Sequence, residues 1–461
     1  MARSLNSIER FSKEPMWVAL AFLITLASGV PFIFLVPGLT GIVVAASPLL
    51  VLFVILIVVN PYPFWLGYFF LVPIMLILQD IFPLESFTRF FGLFMVALSV
   101  PNILLSKRTP YFKVTAVGAS LLIFFAGCCF SLLGTWFIEK AFVGLGLFFG
   151  NLLLYWICVN LFAPEKRLRT VLDVFIIGMV VQSIISIFIK FVGHPLLRAQ
   201  GTITDPNYFG FWLLPILTIS FYSGFSAERR WQKALFFLAF LLMSLALPLT
   251  YSRSMLIIFV PLQVFLFTRF KRPHLGVGLL IVGIIIFYFA FQQYFATSGL
   301  SLMNFFTATR IGSIQWRAHF AVKSIEIFLN HPLFGIGVDC FRSIFRFYSS
   351  TTPHVFSPVI HNSYLEILSG TGLLGFIPFM TAIFFSLRNF WRARKSFIAL
   401  NDRKRALFAE GLLVAFLAQL FTHIFLSTQH HILLFSFFAF STIVMNHALD
   451  IKSRGMKDHL R

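Results

Sequence analysis

Apolar runs of about 20 residues follow one another along most of this chain, and no other sequence feature constrains the fold as strongly. A run of that length matches the thickness of a lipid bilayer when it is helical. Of the 461 residues, 59% are hydrophobic and only 11% are charged, whereas a soluble domain carries about 25% charged residues. The pattern predicts an all-α polytopic membrane protein.

Reading the runs at the length of a bilayer crossing predicts about fourteen transmembrane helices. Several breaks between neighbouring runs are short, so twelve or thirteen helices are the alternatives. The predicted spans are 17–35, 39–59, 64–79, 88–105, 114–133, 142–162, 170–191, 207–223, 234–249, 253–267, 275–293, 363–387, 409–426 and 429–447.

The positive charges assign an orientation to these spans. Most of the 36 Lys and Arg residues fall in alternate connections between them, as in the segments 163–169, 224–233 and 388–408. Cytoplasmic loops of membrane proteins carry such an excess, so both termini are predicted to be cytoplasmic. Clusters of this kind suit membrane lipids, and no extended basic face for nucleic acid is present in the sequence.

One connection on the predicted outer side is long, at about residues 294–362. It contains a stretch with helical periodicity, 311–329, and is expected to fold at the outer interface of the membrane. The predicted organisation is therefore N-terminal spans, central spans, a large outer loop and C-terminal spans with a cytoplasmic tail, divided as 1–191, 192–293, 294–362 and 363–461.

Several arginines break the charge rule because they lie on the predicted outer side with few acids nearby: Arg198, Arg253, Arg310, Arg317, Arg342 and Arg346. Arg253 stands in a short polar break between two apolar runs. A charge at membrane depth usually faces a cavity or a partner, although Arg253 could instead mark a turn and reach the headgroups. The planar fork of arginine fits phosphate oxygens, so this group predicts an anionic ligand such as a pyrophosphate.

Two polar segments border predicted spans on the same side. The first, residues 198–208, contains Asp-Pro-Asn, which is a helix-start signal, so Asp205 and Asn207 are either helix caps or site residues. The second, residues 361–375, begins with His361 and contains Glu366, an acid about one turn inside an apolar run that needs a partner or a cavity. Its glycines allow close approach of helices.

Together these segments resemble the O-antigen ligase and O-antigen polymerase family. The resemblance covers roughly residues 195–385, and its four motifs occur in the family's order. They are Arg198-x-x-Gly-Thr-x-x-Asp-Pro-Asn207, Tyr251-Ser-Arg-Ser254, Trp316-Arg317 with His331-Pro-Leu-Phe-Gly-Ile-Gly337, and His361-Asn362 followed after nine residues by Gly372-x-x-Gly375.

The resemblance implies a metal-independent glycosyltransferase of the bacterial inner membrane that works on the periplasmic face without a cofactor. It moves a glycan from undecaprenyl pyrophosphate to a hydroxyl of an acceptor, in lipopolysaccharide or exopolysaccharide synthesis. By position, Arg198, Arg253 and Arg317 are the candidates to hold the pyrophosphate, and His361 is the candidate base. Asn207, Asn362 and Glu366 are expected to support the site, together with partner proteins of polysaccharide assembly.

Several alternatives stay open at this point. Glu366 is a second candidate for the base. A ligase, which adds the glycan to lipid A-core, shares its motifs with a polymerase, which adds it to another lipid-linked repeat, and a protein or a wall polymer is a further class of acceptor. The rival of a different class is a transporter or flippase of lipid-linked oligosaccharide, which would be expected to show broken helices in two corresponding halves.

Overall fold

A computed structural model describes residues 54–74, 87–105, 114–192, 198–203, 205–269, 311–348 and 358–459. Within these residues the secondary structure is helical and no strand occurs. In chain order the α-helices are α1 (Tyr62–Leu71), α2 (Phe87–Leu105), α3 (Ala116–Phe130), α4 (Ile138–Leu161), α5 (Glu165–Val192), α6 (Pro206–Ser226), α7 (Arg230–Ala246), α8 (Arg253–Phe267), α9 (Ile311–Asn330), α10 (Phe341–Tyr348), α11 (Ser363–Ala399), α12 (Arg403–Thr422) and α13 (Ile432–His459).

In the part of the chain that the structure describes, eight helical segments are long and apolar enough to cross a membrane. They are Ala116–Gly134, Ile138–Leu161, Glu165–Val192, Pro206–Ser226, Arg230–Thr250, Ser363–Ala399, Arg403–Thr422 and Ile432–Ser453. Each corresponds to a predicted span, so the multi-pass helical class is confirmed.

Other predicted spans are represented by shorter helices or lie outside the described residues. The predicted span 253–267 is the 15-residue helix α8, and the span 88–105 falls within α2. The spans 17–35 and 275–293, and most of 39–59, lie outside the described residues. The count of fourteen and the orientation of the termini therefore stay predictions.

The chain divides into two compact units. One comprises Met1–Tyr68 with Ser86–Tyr111, and the other comprises Phe69–Glu85 with Phe112–Arg461. In the first unit, the Trp65 indole donates to Ser99 Oγ at 2.8 Å within a buried contact. The second unit contains every residue that the sequence analysis singled out as a site candidate.

Helix α6 lies at the centre of the second unit. Of its most apolar window, 89% is buried inside the protein, compared with 39% for the segment Ala116–Gly134. It packs against α5, α7, α8 and α12, while α11 packs against α3, α12 and α13. Outer helices leave large apolar side chains such as Ile123 and Phe188 exposed, as expected for surfaces that face lipid rather than water.

The predicted outer loop is folded where the structure describes it. Helix α9 ends at Asn330, and α10 begins at Phe341 after a run of turns. The two helices share a buried apolar cluster that includes Phe320, Ile327, Phe341 and Phe345. This confirms the expected helix over 311–329. The face of the helix that packs on the protein contains Phe320 and Ile327, whereas Ile325 is on an exposed face.

The two ends of α6 carry different chemistry. The C-terminal end borders a cavity of about 530 Å³ lined by charged residues of the predicted cytoplasmic loops, including Arg169, Glu228 and Arg405. These charges are paired, as between Arg405 and Glu165 at 2.8 Å. The N-terminal end begins at Pro206. At 1.5 Å per residue the helix separates the two ends by about 30 Å, which is the thickness of a bilayer core.

Candidate active site

Arg198 lies in a short loop that docks on the turn before α8. Its Nε donates to the Thr250 carbonyl oxygen at 2.8 Å, and the neighbouring Ala199 N–H donates to Leu249 O at 3.0 Å. The other side of the loop is held by Gln182 of α5, whose Oε1 accepts from Thr202 N–H at 2.9 Å. Arg198 is therefore fixed beside the segment that contains Arg253, although 55 residues separate the two in sequence.

The starts of α6 and α8 are joined by side chains. Asp205 caps α6, because its Oδ1 accepts from both the backbone N–H and the side-chain amide of Asn207, at 2.6 and 2.9 Å. Ser252 caps α8 and donates its hydroxyl hydrogen to Asn207 Oδ1 at 2.6 Å. Of the two residues, Asp205 is therefore the helix cap, whereas Asn207 lies in the first turn of α6 and connects two motifs.

Arg253 is the first residue of α8, so it begins a helix at the point where backbone N–H groups are unpaired and an anion is favoured. The residue two positions earlier, Tyr251, has a left-handed backbone with φ of 50° and is buried. Such a conformation costs about 1–3 kcal/mol in a residue other than glycine. The local structure therefore supports a sharp turn that presents Arg253 at the end of the bundle.

Arg317 belongs to α9 and lies close enough to Arg253 and Asp205 for their charges to interact. Burial and the neighbouring positive charge of Arg253 lower the pKa of the Arg317 guanidinium, while Asp205 opposes that change. A bound anion would relieve the repulsion between the two partly buried guanidinium groups, so their positions are compatible with the predicted anion site.

His361 lies immediately before α11 and has a left-handed backbone, with φ of 54°. Asn362 fixes the position of the helix start, since its Oδ1 accepts from the N–H groups of Tyr364 and Leu365 at 3.0 and 3.1 Å. Burial and the positive charge of Arg317 lower the pKa of His361 below the ordinary 6.5, and Asp205 opposes the shift. His361 is therefore held as a neutral imidazole near neutral pH.

A buried hydrogen-bond network holds Ser363, the residue that follows His361 and Asn362. Ser363 Oγ lies 3.1 Å from His423 Nδ1 and donates to Leu426 O at 2.7 Å. Thr428 Oγ1 lies 2.7 Å from the same imidazole nitrogen. Burial lowers the pKa of His423 to about 3, so this histidine stays neutral. The loop after α12 thus holds the start of α11, and with it His361, in one place.

Backbone hydrogen bonds join the glycine motif at residues 331–337 to the glycine motif at residues 370–375. Ile336 N–H donates to Ser369 O at 3.1 Å and Gly337 N–H to Gly370 O at 2.9 Å. Gly372 interrupts α11 with φ of 58° and ψ of −161°, and a Cβ there would collide with the Leu333 carbonyl oxygen. The segment 331–337 therefore packs against the backbone of Gly370 and Gly372. Gly375 instead packs against Gly127 of α3, which is the close contact between helices that was predicted.

Glu366 does not belong to the group around His361. Its charged neighbours are Asp339, which follows the glycine motif, and His430, which precedes α13. The structure therefore brings Asp205, Arg253, Arg317 and His361 together, places Arg198 beside the Arg253 turn, and assigns Glu366 to a second polar cluster near the same end of α11.

Sequence reasoning did not foresee some of these neighbours. The sequence left Asp205 as either a cap or a site residue, and no pattern in it indicated that Asp205 is a charge near His361. His423, Asp339 and His430 stand in segments that carried no recognised motif, and only their burial at a predicted outer end could have drawn attention to them. Among the described residues, no three His, Cys, Asp or Glu side chains are grouped as ligands for a metal.

Comparison with known proteins gives one family. Residues 238–380 match the model of a family described as O-antigen ligase. A search of curated proteins returns no match. The matched segment contains Arg253, Arg317 and His361 but not Arg198 or Asn207. It confirms the resemblance drawn from the motifs and supports a membrane protein with a glycan ligase-like function.

Proposed function

With the chain established as similar to the O-antigen ligase family over residues 238–380, we propose that it transfers a glycan from a polyprenyl pyrophosphate to an acceptor hydroxyl at the outer face of the bacterial inner membrane. The observation that carries this proposal is the meeting of Arg253, Arg317, Asp205 and His361 at one end of the helix bundle. These residues come from four separate segments of the sequence, and together they supply an anion site and a neutral base.

His361 is the proposed base. A neutral imidazole can accept the proton of the acceptor hydroxyl as the oxygen attacks the anomeric carbon, and such a base contributes typically 10²–10⁴-fold to the rate. The lowered pKa of His361 keeps the imidazole neutral near pH 7. Once it is protonated, the carboxylate of Asp205 stabilises the positive charge, and the proton then passes to solvent.

Arg253 and Arg317 are proposed to bind the pyrophosphate of the donor. As the bond between the anomeric carbon and the phosphate oxygen breaks, negative charge grows on the leaving pyrophosphate. Fixed guanidinium groups stabilise that charge without moving. Arg198 donates to a carbonyl through Nε, and we propose that the rest of its guanidinium group contributes to the same site. In this proposal the residues of the chain suffice, and no metal ion or cofactor takes part.

A flippase is a weaker interpretation of the same features. The break in α11 at Gly372 pairs with the loop at residues 331–337, whereas a transporter of that class would pair broken helices from two corresponding halves. A base and an anion site side by side suit a transfer step, in which a proton leaves the acceptor and a pyrophosphate leaves the donor.

A strain that lacks this protein tests the proposal through its lipopolysaccharide, run on a gel. Core with a single repeat means that the protein is a polymerase, and bare core with accumulating lipid-linked polymer means that it is a ligase. Unchanged lipopolysaccharide would direct the search to another glycan or to transport.

Complementation then tests the site. Arg253→Ala and His361→Ala are expected not to restore the glycan although the protein reaches the membrane. Arg342→Ala is the matched control, because Arg342 is another arginine of the outer segment, is exposed, and is outside the proposed site. Full activity of both site variants would overturn the assignment.

A further inference from the structure

A second polar cluster lies beside the proposed site and has no role in the mechanism above. Asp339 Oδ1 accepts from His430 Nε2 at 2.7 Å and from Gln429 Nε2 at 3.3 Å. Glu366 has these same two charged residues, Asp339 and His430, as its electrostatic neighbours, and Ser427 and Gln429 approach its carboxylate. We call Asp339, Glu366, Ser427, Gln429 and His430 the acidic cluster.

The acidic cluster contains buried polar atoms that the protein does not satisfy. Gln429 Oε1 and His430 Nδ1 are buried without a hydrogen-bond partner, whereas Glu366 Oε2 and Ser427 Oγ, which make no close hydrogen bond, approach one another. Gln429 as a whole is only 3% exposed. A buried polar group without a partner costs about 1–3 kcal/mol, and groups of this kind mark places where another molecule completes the hydrogen bonds. Gln429 Oε1 and His430 Nδ1 therefore make the cluster a candidate binding site.

The side chains of the cluster are held in place from outside it. The ring of Phe148 stands 4.2 Å from the His430 ring, and Asn151 Nδ2 donates to the His430 carbonyl oxygen at 2.8 Å. Asp339 has a left-handed backbone, with φ of 56°. The polar atoms therefore keep their positions in the absence of a ligand, which lowers the cost of binding one.

The cluster is next to His361 in the fold. Glu366 belongs to the first turn of α11, and His361 directly precedes Asn362, the N-cap of that helix, so Glu366 follows His361 by only five positions in the chain. The loop that carries Ser427 also holds Ser363 through His423 and Thr428, and Tyr208 of α6 donates to Ser427 O at 3.2 Å. One short segment thus contacts the starts of α6 and α11 and also carries Ser427, Gln429 and His430 of the acidic cluster.

The chemistry of the cluster selects its ligand. The carboxylate of Asp339 disfavours a pyrophosphate, which the arginines attract. Carboxylate, amide, hydroxyl and imidazole groups together offer the acceptors and donors that sugar hydroxyls need. We propose that the acidic cluster binds the hydroxyl groups of an uncharged sugar of the acceptor glycan and so directs its reactive hydroxyl to His361. This inference rests on the proposed function, since it gives the acceptor a place opposite the donor.

Kinetics of the purified protein in lipid vesicles test the inference, with donor and acceptor glycolipids isolated from a strain that lacks the protein. Each is titrated while the other is saturating. Glu366→Gln keeps the side-chain volume but replaces the carboxyl group, and Gln429→Leu removes the amide. In both variants the KM for the acceptor is expected to rise about tenfold, because one hydrogen bond to a charged or buried group is lost. The KM for the donor and the acid limb of the pH profile are expected to stay unchanged.

The matched control is Glu326→Gln, which removes a partly exposed carboxylate of α9 paired with Lys323. It is expected to alter neither KM. A raised KM for the donor in the cluster variants would mean that the cluster holds the donor sugar, and a shifted acid limb would mean that Glu366 takes the proton. Unchanged kinetics would mean that the cluster only stabilises the fold. Each of these three results would overturn the inference, whereas absence of transfer by the unaltered protein would instead overturn the proposed function.

Discussion

His361 has a left-handed backbone, precedes a capped helix and has two charged neighbours. Its backbone conformation is one that few side chains adopt, and Asn362 and the Ser363 network hold it there. Arg317 and Asp205 act on the imidazole with opposite signs. A histidine placed in this way has a defined position and a defined charge, and both are requirements for a general base.

The pH dependence of transfer follows from these neighbours. The base works when it is neutral, so activity is expected to rise with pH through the pKa of His361, which lies below 6.5 because of burial and Arg317. Arg317→Gln removes a positive charge, which makes protonation of His361 easier and raises its pKa. The acid limb of the pH profile is therefore expected to move to higher pH in that variant.

The rate of the unaltered protein and of Arg317→Gln, each normalised to its own maximum, measures this shift. Arg346→Gln is the control, since Arg346 is an outer arginine that lies over the rings of Phe137 and Phe347. An acid limb that stays in place, or moves to lower pH, in Arg317→Gln would show that His361 is not the titrating base.

The sequence allowed individual candidate residues to be chosen, but it did not indicate which of them lie together. The arginines could be selected because each one breaks a charge rule, and His361 because it stands in a motif. The neighbours of those residues could not be selected, since Asp205 and His361 are 156 residues apart and only the packing of α6 against α12 and of α12 against α11 brings their segments together. For the same reason the pair of Asp339 and His430 was not foreseen.

Among the elements, α11 departs most from the sequence-based expectation. The apolar run predicted a plain span from 363, but the helix is interrupted at Gly372, where the segment 331–337 hydrogen-bonds to its exposed backbone groups. The periodicity of apolar residues does not reveal such a break. The glycine spacing predicted close approach of another helix, but at residues 370 and 372 it is the loop 331–337 that packs against α11.

Gly372→Ala is expected to destabilise the protein. An alanine Cβ would collide with Leu333 O, and the backbone conformation at 372 is one that L-residues rarely adopt. The strain is expected to cost about 1–3 kcal/mol or more, which would lower the melting temperature of the protein in detergent. The measurement is the fraction of protein that remains monodisperse after heating.

Gly146→Ala in α4 provides the matched comparison, because no heavy atom lies within 4 Å of its added Cβ. A helical glycine replaced by alanine gains about 0.5–1 kcal/mol, so that variant is expected to be at least as stable as the unaltered protein. Equal stability of the two variants would show that the interruption at Gly372 has no structural importance.

Within the described residues of the second unit, polar chemistry is divided between the two ends of the packed helices. One end carries paired charges from loops predicted to be cytoplasmic, such as Arg169, Glu165 and Arg405. The other carries the arginines, His361 and the acidic cluster. Hydropathy predicted the helices between the two ends, and the distribution of lysine and arginine predicted which loops share an end.

The orientation of the bundle can be tested by labelling cysteines in intact cells. Arg342→Cys and Lys404→Cys place a thiol at an exposed position near either end, in a background in which the exposed Cys129 is replaced by alanine. A maleimide that does not cross membranes is expected to label residue 342 and to label residue 404 only after the cells are opened. The reverse pattern would place the proposed site on the cytoplasmic face.

The central claim is that this chain alone transfers a lipid-linked glycan by means of His361. The most direct measurement is transfer by the purified protein in vesicles that contain a polyprenyl-pyrophosphate-linked glycan and its acceptor glycolipid, in the presence of a metal chelator. The unaltered protein is expected to form product, and His361→Ala is expected to lose about 10²–10⁴-fold of the rate while it still binds the donor. Equal rates for the two proteins, or a rate that depends on an added metal ion, would contradict the account.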